Sequence, residues 1–143
     1  MHMRPIKFRG KRIDNGEWVY GPLCMSARYA PYILWSGDDS VVIETPIIDQ
    51  DSIGEFTGLL DKNGKEIYEG DIILYGGSIR HEVVFRHGAF GYLLYGGEFI
   101  SYAGNTNFTF NPLNRSKDHE VVGNIHDNPE LRQPQYDDTT SIH

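Results

Sequence analysis

Apolar residues alternate with polar ones in short bursts along this chain, and turn residues interrupt every burst. A two-residue period over four to eight residues is the mark of a strand, because successive side chains of an extended chain point to opposite faces. Ile6 to Leu23 reads as a first hairpin, with Asp14-Asn15-Gly16 as its turn. Asn-Gly accepts the positive φ that tight hairpin turns demand. Further strands are expected at Tyr32–Trp35, Val41–Thr45, Ile72–Tyr75, His81–Arg86, Phe90–Tyr95, Asn107–Phe110 and Val121–Ile125, with Gln50–Phe56 leading into the centre of the chain. A second Asn-Gly turn, Asn63-Gly64, sits within TGLLDKNGKEIYEGDIIL at residues 57–74, and Glu69-Gly70-Asp71 there stands just before an apolar run.

No stretch of eleven residues carries a helical stripe. Asn111 to Glu120 is the best place for a short helix, although Pro112 weakens it. Asn128-Pro129 reads as an N-cap with proline at the first helical position, so one helical turn is expected to follow. The pattern therefore predicts an all-β, mostly antiparallel protein with little helix. Residues 1–55 are expected as N-terminal β-hairpins, 56–131 as a β-barrel region and 132–143 as a polar tail.

The chain has 143 residues, enough for a self-sufficient core. Its single cysteine, Cys24, rules out an intrachain disulfide, which suits a reducing cytoplasm; in an apolar stretch it reads as a small buried hydrophobe. No apolar run reaches the ~18 residues of a membrane span, and no apolar segment follows the basic residues of MHMRPIKFRG as a secretory signal requires. A cytoplasmic setting without membrane contact is expected.

Charge is uneven. Residues 1–28 carry six basic and two acidic side chains, residues 29–143 seven basic and eighteen acidic, for a total of −7. An acidic body repels phosphate backbones, but the basic segment is a candidate contact. Arg4, Lys7, Arg9, Lys11 and Arg12 lie within nine residues, with Trp18 and Tyr20 close by. In a strand, Lys7, Arg9 and Lys11 share one face. Three readings stand side by side: a solvated or aggregation-resistant strand face, a contact with the acidic body of a neighbouring subunit, and a phosphate or single-strand nucleic-acid contact.

Other chemistry finds little support. Asp61 to Glu66 touches on a calcium loop but lacks the twelve-residue ligand spacing, so a hairpin turn is the better reading. His81 and His87 would stand roughly 20 Å apart on one extended strand, too far to share an ion. His119 and His126 are expected on opposite faces of another, and surface or partly buried histidines are favoured over metal ligands. No nucleophile elbow or phosphate-cradling glycine loop is present. Neither a catalytic residue nor a cofactor is predicted. An enzyme would need a site assembled from distant strands, with His81, His119 or Glu120.

Three blocks, KFRGKRIDNGEWVYG (7–21), TGLLDKNGKEIYEGDIIL (57–74) and EVVGNIHDNPEL (120–131), together resemble the YopX family of phage and prophage proteins. The resemblance implies a bacterial or phage origin, a cytoplasmic setting, a mostly β fold with an SH3-like barrel, and assembly as a homo-oligomer. It carries no catalytic residue. The leading expectation is a non-enzymatic accessory protein acting by binding, and the alternatives are a nucleic-acid-binding module and a small enzyme.

Overall fold

The computed structural model describes residues 6–28, 30–35, 45–75, 79–86, 88–93, 99–102 and 115–132. Arg4, His87 and the strands expected at Val41–Thr45 (but for Thr45) and Asn107–Phe110 lie outside them. The described chain is strand and turn throughout, apart from two single 3-10 turns at Arg115–Asp118 and Pro129–Leu131. It divides into two compact units, Met1–Gly58 and Leu59–His143.

In the first unit, β1 (Phe8–Arg12) and β2 (Trp18–Gly21) form the expected hairpin. Gly16 at its turn has φ +74°, the left-handed conformation that excludes most side chains. β3 (Leu23–Cys24) pairs with β4 (Tyr32–Ile33), and β5 (Ile48–Leu60) runs antiparallel to β1. Between the pairs Arg9↔Gly54 and Lys11↔Asp49, β1 advances two residues while β5 advances five. The surplus residues bulge out of the ladder, and Ser52 satisfies the backbone there. Its Oγ accepts from the Lys11 amide at 2.7 Å and donates to the Asp49 carbonyl at 2.6 Å. Val19, Ile33 and Ile48 form the core of this unit. Gly10 lies against it so closely that a Cβ would stand 2.5 Å from Ile48 Cγ2.

In the second unit, β6 (Glu66–Tyr68) follows the Asn63-Gly64 turn, and five strands make one antiparallel sheet. These are β7 (Asp71–Tyr75), β8 (Arg80–Arg86), β9 (Ala89–Leu93), β10 (Phe99–Ser101) and β11 (His119–Asn124), in the order β10-β9-β8-β7-β11. Ile67, Ile73, Val83, Tyr92 and Val121 form its core. The sheet curls strongly. β9 and β11 are three ladder spacings apart, about 14 Å if flat, yet the rings of Tyr92 and His119 meet with centroids 4.9 Å apart. Among the described residues the unit is all-β, its sheet antiparallel and curled, and no closed barrel is found. The Asp61-Lys62 segment occupies part of the β11 edge. The Lys62 amide donates to the His119 carbonyl at 2.9 Å, and Asp61 Oδ2 accepts from the Val121 amide at 2.9 Å.

Candidate functional site

The β1–β2 register sets Arg9 opposite Tyr20 and Lys11 opposite Trp18, so these four side chains share one face while Gly10 and Val19 share the other. The cations on and beside this hairpin lean on aromatic rings. The Arg9 guanidinium stands 4.6 Å from the Trp18 ring centroid, Lys7 Nζ 5.3 Å from that of Phe56, and the Arg12 guanidinium 5.6 Å from that of Trp35. Arg12 also grips Asp14 with two bonds, Nε to Oδ1 at 2.9 Å and Nη2 to Oδ2 at 2.7 Å. That bond, with the Arg12 charge behind it, holds the Asp14 carboxyl below its ordinary range. Arg9 is buried and Tyr20 is 44% exposed. Every one of Lys7, Arg9, Lys11, Arg12, Trp18 and Tyr20 is engaged with a neighbour.

The charge picture shifts in the same direction. Asp49 stands opposite Lys11 and Glu55 opposite Phe8 on the adjoining strand β5. The first unit as a whole carries six basic and eight acidic side chains, so the cationic segment sits within an acidic unit.

A pocket of about 600 Å³ opens on the first unit. Ile13, Pro31, Pro46, Ile47 and Ile48 form its apolar walls, and Tyr32, Thr45 and Gln50 supply polar groups. None of the described lining residues carries a charge. Ile48 is buried and belongs to the core, whereas Ile13 and Ile47 are 65% and 73% exposed. A bond from the Ile13 amide to the Ile47 carbonyl, 3.0 Å, holds these two lips together. The sequence hid this pocket because Ile13 and Ile47 lie 34 positions apart in the chain, and only strand pairing brings them side by side.

The second unit uses its polar motif residues differently. Asp61 is buried, and besides Val121 it accepts from the amides of Asn63 (2.8 Å) and Lys65 (2.9 Å) through Oδ1. Burial works to raise its pKa, but the amide donors of Val121, Lys65 and Asn63, with the Lys65 charge, outweigh it and hold the carboxyl below the ordinary value. Buried Asp71 accepts from the Tyr68 amide at 2.7 Å and closes the Glu69-Gly70 turn. Asn124 Oδ1 accepts from the amides of His126 and Asp127. Asn128 precedes the expected helical turn, but its side chain makes no cap bond; it accepts from the Asn124 amide at 3.2 Å instead. These carboxylates and amides hold the backbone in place.

The histidines are more deeply placed than expected. His119 is fully buried and His81 nearly so, which corrects the surface or partly buried reading. His81 Nδ1 donates to the Leu93 carbonyl at 2.9 Å, which sets the proton on that nitrogen. His119 Nδ1 lies 3.0 Å from the Tyr102 hydroxyl, and the rings of Tyr75 and Tyr92 meet it edge to face. Burial pushes the Tyr102 phenol far above its ordinary range, with Tyr92 and Asp71 adding to the effect. His126 lies beyond the end of β11, in a turn, rather than on the strand. Glu120 is paired with Lys62 at 3.4 Å near the surface. Among the described residues no group of three or more histidine, cysteine, aspartate or glutamate side chains is placed to hold a metal, and no helix is long and apolar enough to cross a membrane.

No curated protein matches the chain. Among solved structures it is similar to the crystal structure of protein EF1440 from Enterococcus faecalis. That likeness has 25% sequence identity and a TM-score of 0.58, and covers 91% of this chain and all of the other. The YopX protein family model matches residues 7–133, a span that takes in the N-terminal hairpin, the Asp61 turn and the Asn124–Asn128 clamp together. The chain belongs to the YopX family.

Proposed function

We propose that this protein is a non-enzymatic phage or prophage accessory protein of the bacterial cytoplasm, acting by binding through its N-terminal unit. The observation that carries this reading is the uncharged pocket whose lips, Ile13 and Ile47, are large apolar side chains held toward solvent. Concave sites of this volume, mostly apolar with a few polar groups, are the usual form of a ligand or side-chain receptor. The buried carboxylates and histidines of the second unit are committed to backbone and ring contacts, which suits a scaffold. Titration with the neutral fluorescent probe N-phenyl-1-naphthylamine tests the reading. Saturable binding is expected in the parent protein and its loss in Ile47→Glu. A probe that does not bind, or binds both alike, removes it.

Self-association is a second element of this reading. β2 is an end strand of its sheet, bonded on one side to β1, and an end strand can pair with a copy of itself. Light scattering is expected to give a dimer or higher species at low and at high salt alike, because strand pairing rests on backbone bonds. A monomer at both salts removes this part, and dissociation at high salt alone returns the weight to charge pairing.

Nucleic-acid binding through Arg4, Lys7, Arg9, Lys11, Arg12, Trp18 and Tyr20 is the remaining alternative. Half-exposed Tyr20 on the same face as Lys11 favours it, as a platform on which a base can stack. The engaged cations and the acids of β5 weigh against it. If it holds, Lys7→Glu with Lys11→Glu abolishes anisotropy gain with a single-stranded probe at low salt; no gain in the parent protein ends it.

A further inference from the structure

The two Asn-Gly turns carry a chemistry of their own. In such a pair the glycine amide nitrogen can attack the asparagine side-chain carbonyl carbon, Cγ, because no Cβ on the glycine shields that nitrogen. Asn15, Gly16, Asn63 and Gly64 are all exposed. At each turn the glycine amide donates to a backbone carbonyl, Gly16 to Arg12 at 3.1 Å and Gly64 to Asp61 at 3.0 Å, so that constraint is common to both. The asparagine side chains differ. Asn15 Oδ1 accepts from the Glu17 amide at 2.9 Å, and that bond must break before Cγ can turn toward Gly16. Among the described residues no such bond holds the Asn63 side chain, and nothing lies within 4 Å of a Cβ at Gly64. The charges differ too. Arg12 pairs with Asp14 and Glu120 with Lys62, which leaves exposed Glu17 beside the first turn and exposed Lys65 beside the second. The attacking nitrogen gives up its proton, and a neighbouring cation favours the resulting negative charge while an acid opposes it. Asp61 is the acid nearest Asn63, but its charge is shared among three amide donors.

We propose that Asn63 is a self-modifying site, and that its conversion to isoaspartate unfastens the Asp61 turn from β11. The Gly64 amide nitrogen bonds to Asn63 Cγ, the Cγ–Nδ2 bond breaks, and ammonia leaves with the proton that the glycine nitrogen gave up. Water then opens the cyclic imide. Opening at Cγ leaves aspartate; opening at the backbone carbonyl carbon leaves isoaspartate, with the main chain routed through Cβ and Cγ. The longer main chain matters here because one oxygen, Asp61 Oδ1, holds the amides on both sides of it, Asn63 at 2.8 Å and Lys65 at 2.9 Å. An extra carbon between those amides moves one of them out of hydrogen-bond reach. The modification also sets a second carboxylate beside buried Asp61. Asp61 Oδ2 and the Lys62 amide fasten this same turn to Val121 and His119 of β11, so a displaced turn loosens that edge.

The test holds the full chain, folded, in mildly alkaline heavy-oxygen water and maps it by proteolysis and mass spectrometry. Heavy oxygen enters the carboxyl that ring opening creates. Position 63 is expected to convert at least about threefold faster than position 15, with isoaspartate the main product. In denaturant that ratio is expected to shrink, because the Asn15–Glu17 bond exists only in the fold. Aged protein is expected to melt lower in proportion to its isoaspartate content. Asn63→Asp, with the new charge on an ordinary main chain, should keep more of the parent's melting temperature. Asn63→Ser cannot close the ring, and its melting temperature should not fall on ageing. Equal conversion at the two positions in folded protein, faster conversion at 15, or none at 63 overturns the site. An isoaspartate-rich sample that melts like fresh protein, or a fall on ageing that persists in Asn63→Ser, overturns the unfastening.

Discussion

Asp61→Ala is expected to destabilise the second unit by about 3 kcal/mol, because three backbone amides lose their acceptor at once in a buried place. Two of them, on Asn63 and Lys65, shape the hairpin turn. The third, on Val121, lies sixty residues further along the chain and ties that turn to β11. The loss is therefore local and tertiary together, and it frees the β11 edge that Asp61 and Lys62 occupy. Calorimetry should show the melting temperature falling by roughly 12 °C or more for a unit of this size. Asp61→Asn should lose less, since an amide oxygen still accepts from the turn while its NH₂ group faces donors. A fall of under about 3 °C for Asp61→Ala would mean that the clamp contributes little.

The same carboxylate predicts a pH dependence with a definite sign. The folded protein holds the Asp61 pKa below the ordinary aspartate value of 3.8 that the unfolded chain retains. The folded state thus binds fewer protons in that interval. The stabilisation is complete above about pH 5, and is lost as pH falls through 3.8 toward the folded value. Asp61→Asn should flatten the part of the acid-induced loss that belongs to this group. An unchanged slope below pH 4 would assign acid sensitivity to other carboxylates.

Gly91→Ala is expected to cost about 2 kcal/mol or more, and for a different reason. A Cβ at Gly91 would run into the Ile100 carbonyl oxygen and stand 2.6 Å from Cε1 of the Phe99 ring. The carbonyl is backbone, so relief requires β10 to shift as a strand. β10 is three residues long, and its pairing with β9 runs through Gly91 itself, opposite Ser101. Just beyond it, the Tyr102 amide donates to the Phe90 carbonyl at 2.9 Å, and Tyr102 carries its hydroxyl to His119. The substitution should therefore also perturb the ring signals of Tyr102 and His119 in an NMR spectrum. Gly88→Ala is the control: nothing lies within 4 Å of a Cβ there, and only its φ of +79° resists, at about 1 kcal/mol. Equal effects at the two glycines would mean that β10 is free to move.

Turns were the most legible part of this chain. Asn15-Gly16 and Asn63-Gly64 each place a glycine at positive φ, +74° and +81°, where local chemistry alone selects the residue. The pairing partners and faces of β1 and β2 follow from such a turn by counting. β5 was less legible. Only Gln50–Phe56 is marked by the pattern, whereas the strand runs from Ile48 to Leu60. Gln50, Asp51 and Ser52 break the alternation because they lie in the bulge between the paired residues Asp49 and Gly54, and a bulge is defined by the partner strand. β10 had no signal of its own at three residues.

The candidate site divides in the same way. The sharing of a face by Arg9, Lys11, Trp18 and Tyr20 could be read from strand period and turn position. That Arg9 lies buried over Trp18, and that acidic β5 runs alongside, could not, since both depend on which strand becomes the neighbour of β1. The pocket is wholly of this second kind.

By itself the amino-acid order determined an all-β chain of short antiparallel strands, the positions of its Asn-Gly turns and its YopX membership, because each rests on residues close together or on motifs read in line. The curl that brings Tyr92 to His119, the reach of Asp61 to Val121 and the pocket between Ile13 and Ile47 were decided only by the tertiary structure. Contacts across tens of residues depend on strand order and register, and these are settled by collective burial of apolar faces, which no local pattern encodes.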